Sequence, residues 1–250
     1  MDDMTTNSSE DRPAPGDAIL HALQGAELIV FDWDGTLVDS RQVIVETMRA
    51  SLREVGLAEL PGEELQQVIG LGLREAIQAL APGADEGTRD RLQDAYARRF
   101  KDYSARDMPF FPGVAEGLEA LHRQGRFMAV ATGKSRRGLD RMLEEWGLRD
   151  RFVATRCADE TRSKPDPRML HELLEATGAD PRRAVLVGDT QFDMEMADRA
   201  GMYRIAVTYG VHSPGRLASG SPHAWADTFA EVLAHLGCGE LEPDPVQGYN

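Results

Sequence analysis

Apolar residues fall in short dense runs, and longer stretches with helical spacing separate them. Leu28, Ile29, Val30 and Phe31 form the first run, after a Gly-containing turn, and read as a buried strand. Runs at 127–131, 152–155, 184–187 and 203–207 predict four more strands. Helical patterns lie before or between them at 114–124, 137–146, 167–177 and 192–200. Near-continuous apolar strands suit a sheet with helices on both faces. Alternation of strand and helix on this scale predicts an α/β fold with a doubly wound parallel sheet.

One interval breaks the rhythm. The first two strands are separated by about a hundred residues, whereas a βαβ unit takes about thirty. The surplus, 40–108, is rich in helix formers and shows helical spacing at Val43, Thr47, Ala50, Leu52 and Val55. Pro61-Gly62 and Ala81-Pro82-Gly83 punctuate it, and a second helical pattern runs over 86–103. These features predict a small helical domain, 40–108, inserted after the first strand and hinged near Asp39 and Met108. The core domain is then 18–39 together with 109–237. The tails, 1–17 and 238–250, are acidic, carry Pro and Gly and lack periodicity, so they are expected to be poorly ordered. Residues 213–222 read as a polar, turn-rich loop.

Composition narrows the functional classes. Hydrophobic residues make up 42% of the chain and charged ones 28%, as in ordinary globular proteins. No apolar run approaches the ~20 residues that span a bilayer. The N-terminus lacks the basic flank and apolar centre of a secretory signal. Cys157 and Cys238 are too few for a disulfide framework or a zinc knuckle, so a cytoplasmic protein is expected. A net charge of −14 argues against nucleic acid or an anionic membrane as partner. An anionic small molecule would need local positive charge.

The chemistry concentrates at strand ends. Phe31-Asp32-Trp33-Asp34-Gly35-Thr36-Leu37-Val38-Asp39-Ser40 follows the first run. Residues two apart on a strand share a face, so Asp32 and Asp34 project together where open α/β sheets bind ligands, with Trp33 on the other face. Two carboxylates that close repel unless a cation or proton separates them. They suit a metal site with one nucleophilic and one acid/base carboxylate. Taken alone, the pair is equally well read as an Asp-Gly turn. Three later motifs change that balance: Ala131-Thr132-Gly133-Lys134-Ser135, Ser163-Lys164-Pro165-Asp166-Pro167 and Gly188-Asp189-Thr190-Gln191-Phe192-Asp193-Met194.

These four motifs, in this order and with a cap-sized insertion after the first, resemble those of the haloacid dehalogenase superfamily of phosphotransferases. The resemblance covers about 27–210 and implies a Rossmann-like core with a helical cap. It implies Asp32 as the nucleophile that forms an aspartyl-phosphate, and Asp34 as general acid and then base. Thr132, the Gly133 backbone and Lys164 would bind the phosphoryl group. Mg²⁺ would be held by Asp32, the backbone carbonyl of Asp34 and Asp189, with Asp193 supporting the metal shell or Lys164. Physical chemistry agrees: a carboxylate attacking a phosphate dianion needs positive charge, which Mg²⁺ and Lys164 supply. Each residue also has a structural reading: Lys164 and Thr132 as element-end residues, Asp189 as an N-cap, Asp193 as a dipole partner. Many relatives carry Asn where this chain has Gly133, so side-chain contacts from that position are lost.

Asp34 and Thr36 favour a phosphatase, since dehalogenases of the superfamily lack the second acid. A phosphomutase would use the same motifs. The insertion and the run after Asp189 resemble the phosphoglycolate phosphatase-like subgroup, which puts 2-phosphoglycolate first among substrates, ahead of sugar phosphates, nucleotides and pyrophosphate. Arg74 is a candidate for a substrate carboxylate or a solvated cation. Lys134, Arg136 and Arg137 crowd the second motif, with one of them facing the ligand. A phospho-acceptor signalling module would be shorter, and an inert binding protein has no need of a buried cluster of like charges. A monomer or homodimer acting on a small phosphorylated metabolite is expected.

Overall fold

The computed structural model describes residues 12–239. Six parallel strands form one sheet: β1 (Leu28–Phe31), β2 (Phe127–Thr132), β3 (Ala154–Cys157), β4 (Ala184–Gly188), β5 (Tyr203–Val207) and β6 (Ala224–Ala226). Their order is β3-β2-β1-β4-β5-β6, so the chain reverses its direction of travel across the sheet at β1. A crevice opens at the carboxyl ends of the strands at such a reversal.

Period-two alternation along the strands builds two cores. Ile29 and Phe31 join Met128, Val130, Val185 and Val187 on one face. Leu28 and Val30 join Ala129, Ala131 and Leu186 on the other. The first face is covered by α1 (Asp17–Gln24), α6 (Val114–Arg123), α7 (Arg136–Glu145) and α11 (Phe229–His235). The second is covered by α8 (Arg168–Thr177) and α9 (Gln191–Arg199). Val114, Leu118 and Leu121 show how α6 docks: spacings of four and three put them on one helical face, and all are buried.

The insertion between β1 and α6 contributes α2 (Arg41–Glu54), α3 (Gly62–Gln66), α4 (Leu73–Leu80) and α5 (Glu86–Phe100). These helices share an apolar cluster that includes Val45, Met48, Leu52, Leu65, Ile77 and Leu92. Asp85 caps α5 by accepting from the Thr88 amide. The two ends of the insertion lie side by side: the Asp39 amide donates to the Pro109 carbonyl (2.8 Å), and Val38 bridges Phe110 in antiparallel fashion.

Several expectations need correction. The third strand begins two residues later than its apolar run. It is an edge strand, half-buried and carrying Arg156, so burial does not mark its bounds. Phe152 instead packs edge-on against Trp33, and Val153 is 54% exposed. The three-residue β6 is too short to leave a pattern. Within 213–222 lies a short helix, α10 (Pro214–Ala218), with Pro214 at its first position, a placement that suits proline. The packed region also extends beyond the expected tail boundaries. Arg12 forks onto Asp227 with contacts of 2.6 and 2.7 Å, Asp17 starts α1, and Cys238 is buried. The rest of the tail expectation, 1–11 and 240–250, lies outside the described residues. Among the described residues, no helix is long and apolar enough to cross a membrane.

Phe229 anchors α11, with its ring centroid 6.1 Å from that of Phe31 and 1% of its surface exposed. Phe229→Ala should lower unfolding stability by about 3–5 kcal/mol. A shifted urea midpoint, with turnover per folded molecule unchanged, is the expected outcome.

Candidate active site

Asp32 follows directly on β1, and its amide continues the parallel ladder by donating to the Val187 carbonyl (3.0 Å). Trp33 turns to the opposite side and is fully buried in the core. Asp34 returns to Asp32's side, and both aspartates line one cavity. The chain then turns at Gly35, whose φ of 84° favours glycine, and a Cβ there would collide with the Asp189 carboxylate.

Three carboxylates converge. Oxygens of Asp32, Asp189 and Asp193 lie within 4.8 Å of one another, and all three residues are buried. Lys164, from the loop between β3 and α8, reaches among them: its Nζ is 2.7 Å from Asp32 Oδ1 and 2.6 Å from Asp193 Oδ1. Asp193 is also engaged at Oδ2, which accepts from the Thr190 amide and hydroxyl in the capping box of α9. Of the two roles left open for Asp193, these bonds favour support of Lys164. Asp189 accepts from Thr36 Oγ1 (2.9 Å) and the Val211 amide (2.8 Å). Asp32 differs. Its Oδ1 pairs with Lys164 (2.7 Å), while Oδ2, though buried, has no hydrogen-bond partner.

The electrostatics follow from one ammonium facing three carboxylates, all four buried. Burial raises the Asp32 carboxyl well above the ordinary carboxylate range; Lys164 opposes the rise, and Asp193 and Asp189 add to it. Burial, with Asp193 adding to it, pushes Asp189 up to about 7. Burial alone would lower Lys164, yet Asp193 and Asp32 outweigh it and hold the ammonium above its ordinary value. A cluster of three carboxylates with one ammonium, and with Asp32 Oδ2 unpartnered, fits a hard divalent cation such as Mg²⁺.

Asp34 is held at Oδ1 by Ser40 Oγ (2.6 Å) and by Lys134 Nζ (2.8 Å), which also sits 4.8 Å from the centre of the Phe100 ring. Ser40 carries no signal in the spacing. Lys134 is the cation of the crowded loop that turns inward, whereas Arg136 pairs outward with Glu160 and Asp140. Thr132 and Gly133 line the cavity, and Thr132 Oγ1 accepts from the Lys134 amide (3.2 Å). Arg74 does not reach the site: its side chain is 76% exposed and lies 3.6 Å from Glu86.

Above Asp32 and Asp34 the cavity measures about 620 Å³ and is roofed by the insertion. Loop 70–72 descends onto the sheet loops, where the Gly72 amide donates to Ser163 Oγ (2.7 Å). A Cβ at Gly133 would sit 2.5 Å from the Leu71 carbonyl oxygen and 2.8 Å from that of Gly70. The absent side chain at Gly133 is therefore where the insertion loop fits. Gly133→Asn should cost this contact about 1–3 kcal/mol, as overpacking does. Backbone amides in 70–72 should then exchange hydrogen faster by between fivefold and a hundredfold on that scale.

Comparison with known proteins places this geometry. The profile of the haloacid dehalogenase-like hydrolases matches residues 29–207. A probable phosphatase IndB of Dickeya dadantii is 37% identical over 211 residues, covering 82% of this chain and 91% of that protein. A phosphoglycolate phosphatase of Agrobacterium fabrum is 34% identical, covering 84% and 91%. A crystal structure of a predicted phosphoglycolate phosphatase from Haemophilus somnus superposes with a TM-score of 0.75 at 26% identity, covering 84% of this chain and 97% of that one. With the family's profile spanning most of its sheet and its aspartates gathered at the ends of β1 and β4, the chain belongs to the haloacid dehalogenase-like hydrolase family.

Proposed function

We propose that the protein is a Mg²⁺-dependent phosphatase that hydrolyses a small phosphate monoester through an aspartyl-phosphate on Asp32. The observation that carries this reading is Asp32 itself: a buried carboxylate facing the cavity, tied to Lys164 through Oδ1 and with Oδ2 left without a partner. Buried polar atoms are normally satisfied, so such an exception calls for a function. The names of the relatives support the same reading.

In this mechanism Asp32 attacks phosphorus while the bond to the leaving alcohol breaks, and Asp34 protonates the departing oxygen. Asp34 then takes a proton from water, which attacks the aspartyl-phosphate, releases phosphate and restores Asp32. Two easier steps replace one difficult hydrolysis. Thr132, the Gly133 backbone and Lys164 hold the phosphoryl oxygens, and Ser40 and Lys134 orient Asp34. Asp32, Asp189 and the Asp34 backbone carbonyl would hold Mg²⁺, while Asp193 acts through Lys164 and α9. When bound, the ion supplies positive charge that offsets repulsion between carboxylate and phosphate dianion. We take 40–108 as a cap domain over a core of 18–39 and 109–237, keeping bulk water from the site. Because several relatives bear the name phosphoglycolate phosphatase, 2-phosphoglycolate is the reference ester against which other substrates are compared. With both cysteines free and buried, we place the protein in the cytoplasm.

Asp32→Asn should reduce Mg²⁺-dependent phosphate release by at least roughly a thousandfold. Turnover that persists near the wild-type rate would remove Asp32 as nucleophile. Mg²⁺ binding should also depend on pH, because the metal-free Asp189 carboxyl keeps its proton up to about 7. Below that pH, calorimetry should show proton release on binding and an affinity that falls about tenfold per pH unit. Above it, both effects should fade. An affinity that does not vary between pH 6 and 8 would remove Asp189 from the ligand set.

A further inference from the structure

We infer that the leaving group this cavity is built for is a bulky, apolar alcohol, with a ring or an alkyl chain, rather than a small acid such as glycolate. The inference rests on the phosphatase reading above and concerns the part of the ester that Asp34 protonates.

The cavity has two unlike halves. Its floor is polar, where Asp32, Asp34, Thr132 and Lys134 await the phosphoryl group. Its walls come from the insertion and include Ile44, Met48, Leu65, Leu73, Tyr96 and Phe100. Helical spacing creates this surface. Ile44 and Met48 stand one turn apart on α2. Tyr96 and Phe100 stand one turn apart on α5, with rings stacked at 5.5 Å and 19°. Size matters as much as polarity. At ~30 Å³ per water, a cavity of 620 Å³ equals about twenty waters. A phosphoryl group with glycolate would fill only one corner, leaving apolar walls against water.

A carboxylate finds poor partners here. Burying one among apolar side chains without a cation is strongly unfavourable. Arg74 is outside the cavity. Lys101 and Arg137 are exposed at its margin, and Arg141 already donates to the carbonyls of Lys101 (3.0 Å) and Phe100 (3.4 Å). Lys134 is committed to Asp34. The cations thus ring the mouth and floor, and the middle of the chamber offers contact to carbon.

The test is a series of esters whose leaving alcohols differ little in acidity: ethyl, butyl, hexyl and 2-phenylethyl phosphates, compared with 2-phosphoglycolate on the full chain with Mg²⁺. kcat/KM should rise about fourfold per methylene from ethyl to hexyl, the scale of burying one methylene. 2-Phenylethyl phosphate should exceed 2-phosphoglycolate by roughly tenfold or more on the same scale. Met48→Gln should reduce kcat/KM for hexyl phosphate more than for ethyl phosphate. A flat series, or 2-phosphoglycolate in the lead, overturns the inference and leaves the phosphatase reading intact. The same esters titrated calorimetrically into Asp32→Asn protein separate binding from chemistry. Tighter binding of hexyl than ethyl phosphate, with no ester turned over by the wild type, upholds the apolar chamber and removes the phosphatase reading. Equal binding of the two overturns the chamber even if turnover is absent.

Discussion

Three carboxylates and one ammonium, buried together at the ends of two adjacent strands, set the terms for the rest of this molecule. Lys164 neutralises part of the charge of Asp32 and Asp193, and leaving any of these groups without its partner in such a place is strongly destabilising. The surrounding chain is arranged to tolerate the crowding. Gly35 and Gly210 leave room for the Asp189 carboxylate, and Gly188 leaves room for Asp193. Thr36 and the Val211 amide fix Asp189 from two sides. The Thr190 capping box fixes Asp193 while starting α9, so a helix terminus and a charge relay share one side chain. Asp32 is tied to Lys164 alone, and its second oxygen meets no partner.

The insertion complements this rigid floor with a different kind of surface. Carbon-rich faces of α2 and α5 close over the aspartates, and loop 70–72 rests on the sheet loops through Gly133 and Ser163. Charge is concentrated below and apolar contact above. Low dielectric over the floor strengthens every electrostatic interaction there, so the upper half bears on the charges of the lower.

Much of this was legible in the chain, for a definite reason. Strand ends are visible as the close of apolar runs, so Asp32, Asp34, Thr132 and Asp189 could be placed at the same rim before any coordinates. Lys164 was legible through its order among the motifs. What was not legible depends on how loops fold back. Ser40 reaches Asp34 only because the turn at Gly35 brings it round, and Lys134 points inward while its neighbour Arg136 points out. The departure at Gly133 was visible, but its cause is Leu71, a residue in another segment whose approach no local pattern announces. Arg74 could be read as a partner for a substrate carboxylate or as a solvated cation, and α4 carries it to solvent. The edge strand β3 and the minimal β6 escaped for a simpler reason: neither is buried on both faces over enough residues to leave a run.

The insertion leaves and rejoins the sheet through a single paired doorway, where the Asp39 amide meets the Pro109 carbonyl and Val38 bridges Phe110. Its two ends are therefore neighbours, tied by backbone groups that do not depend on side-chain identity. The stretch between them can change in length without altering strand order, although Ser40 and Phe100 within it touch Asp34 and Lys134. The fold thus carries its charged floor and its apolar wall on two parts joined by a seam of backbone, so a side-chain change in either part need not break the join.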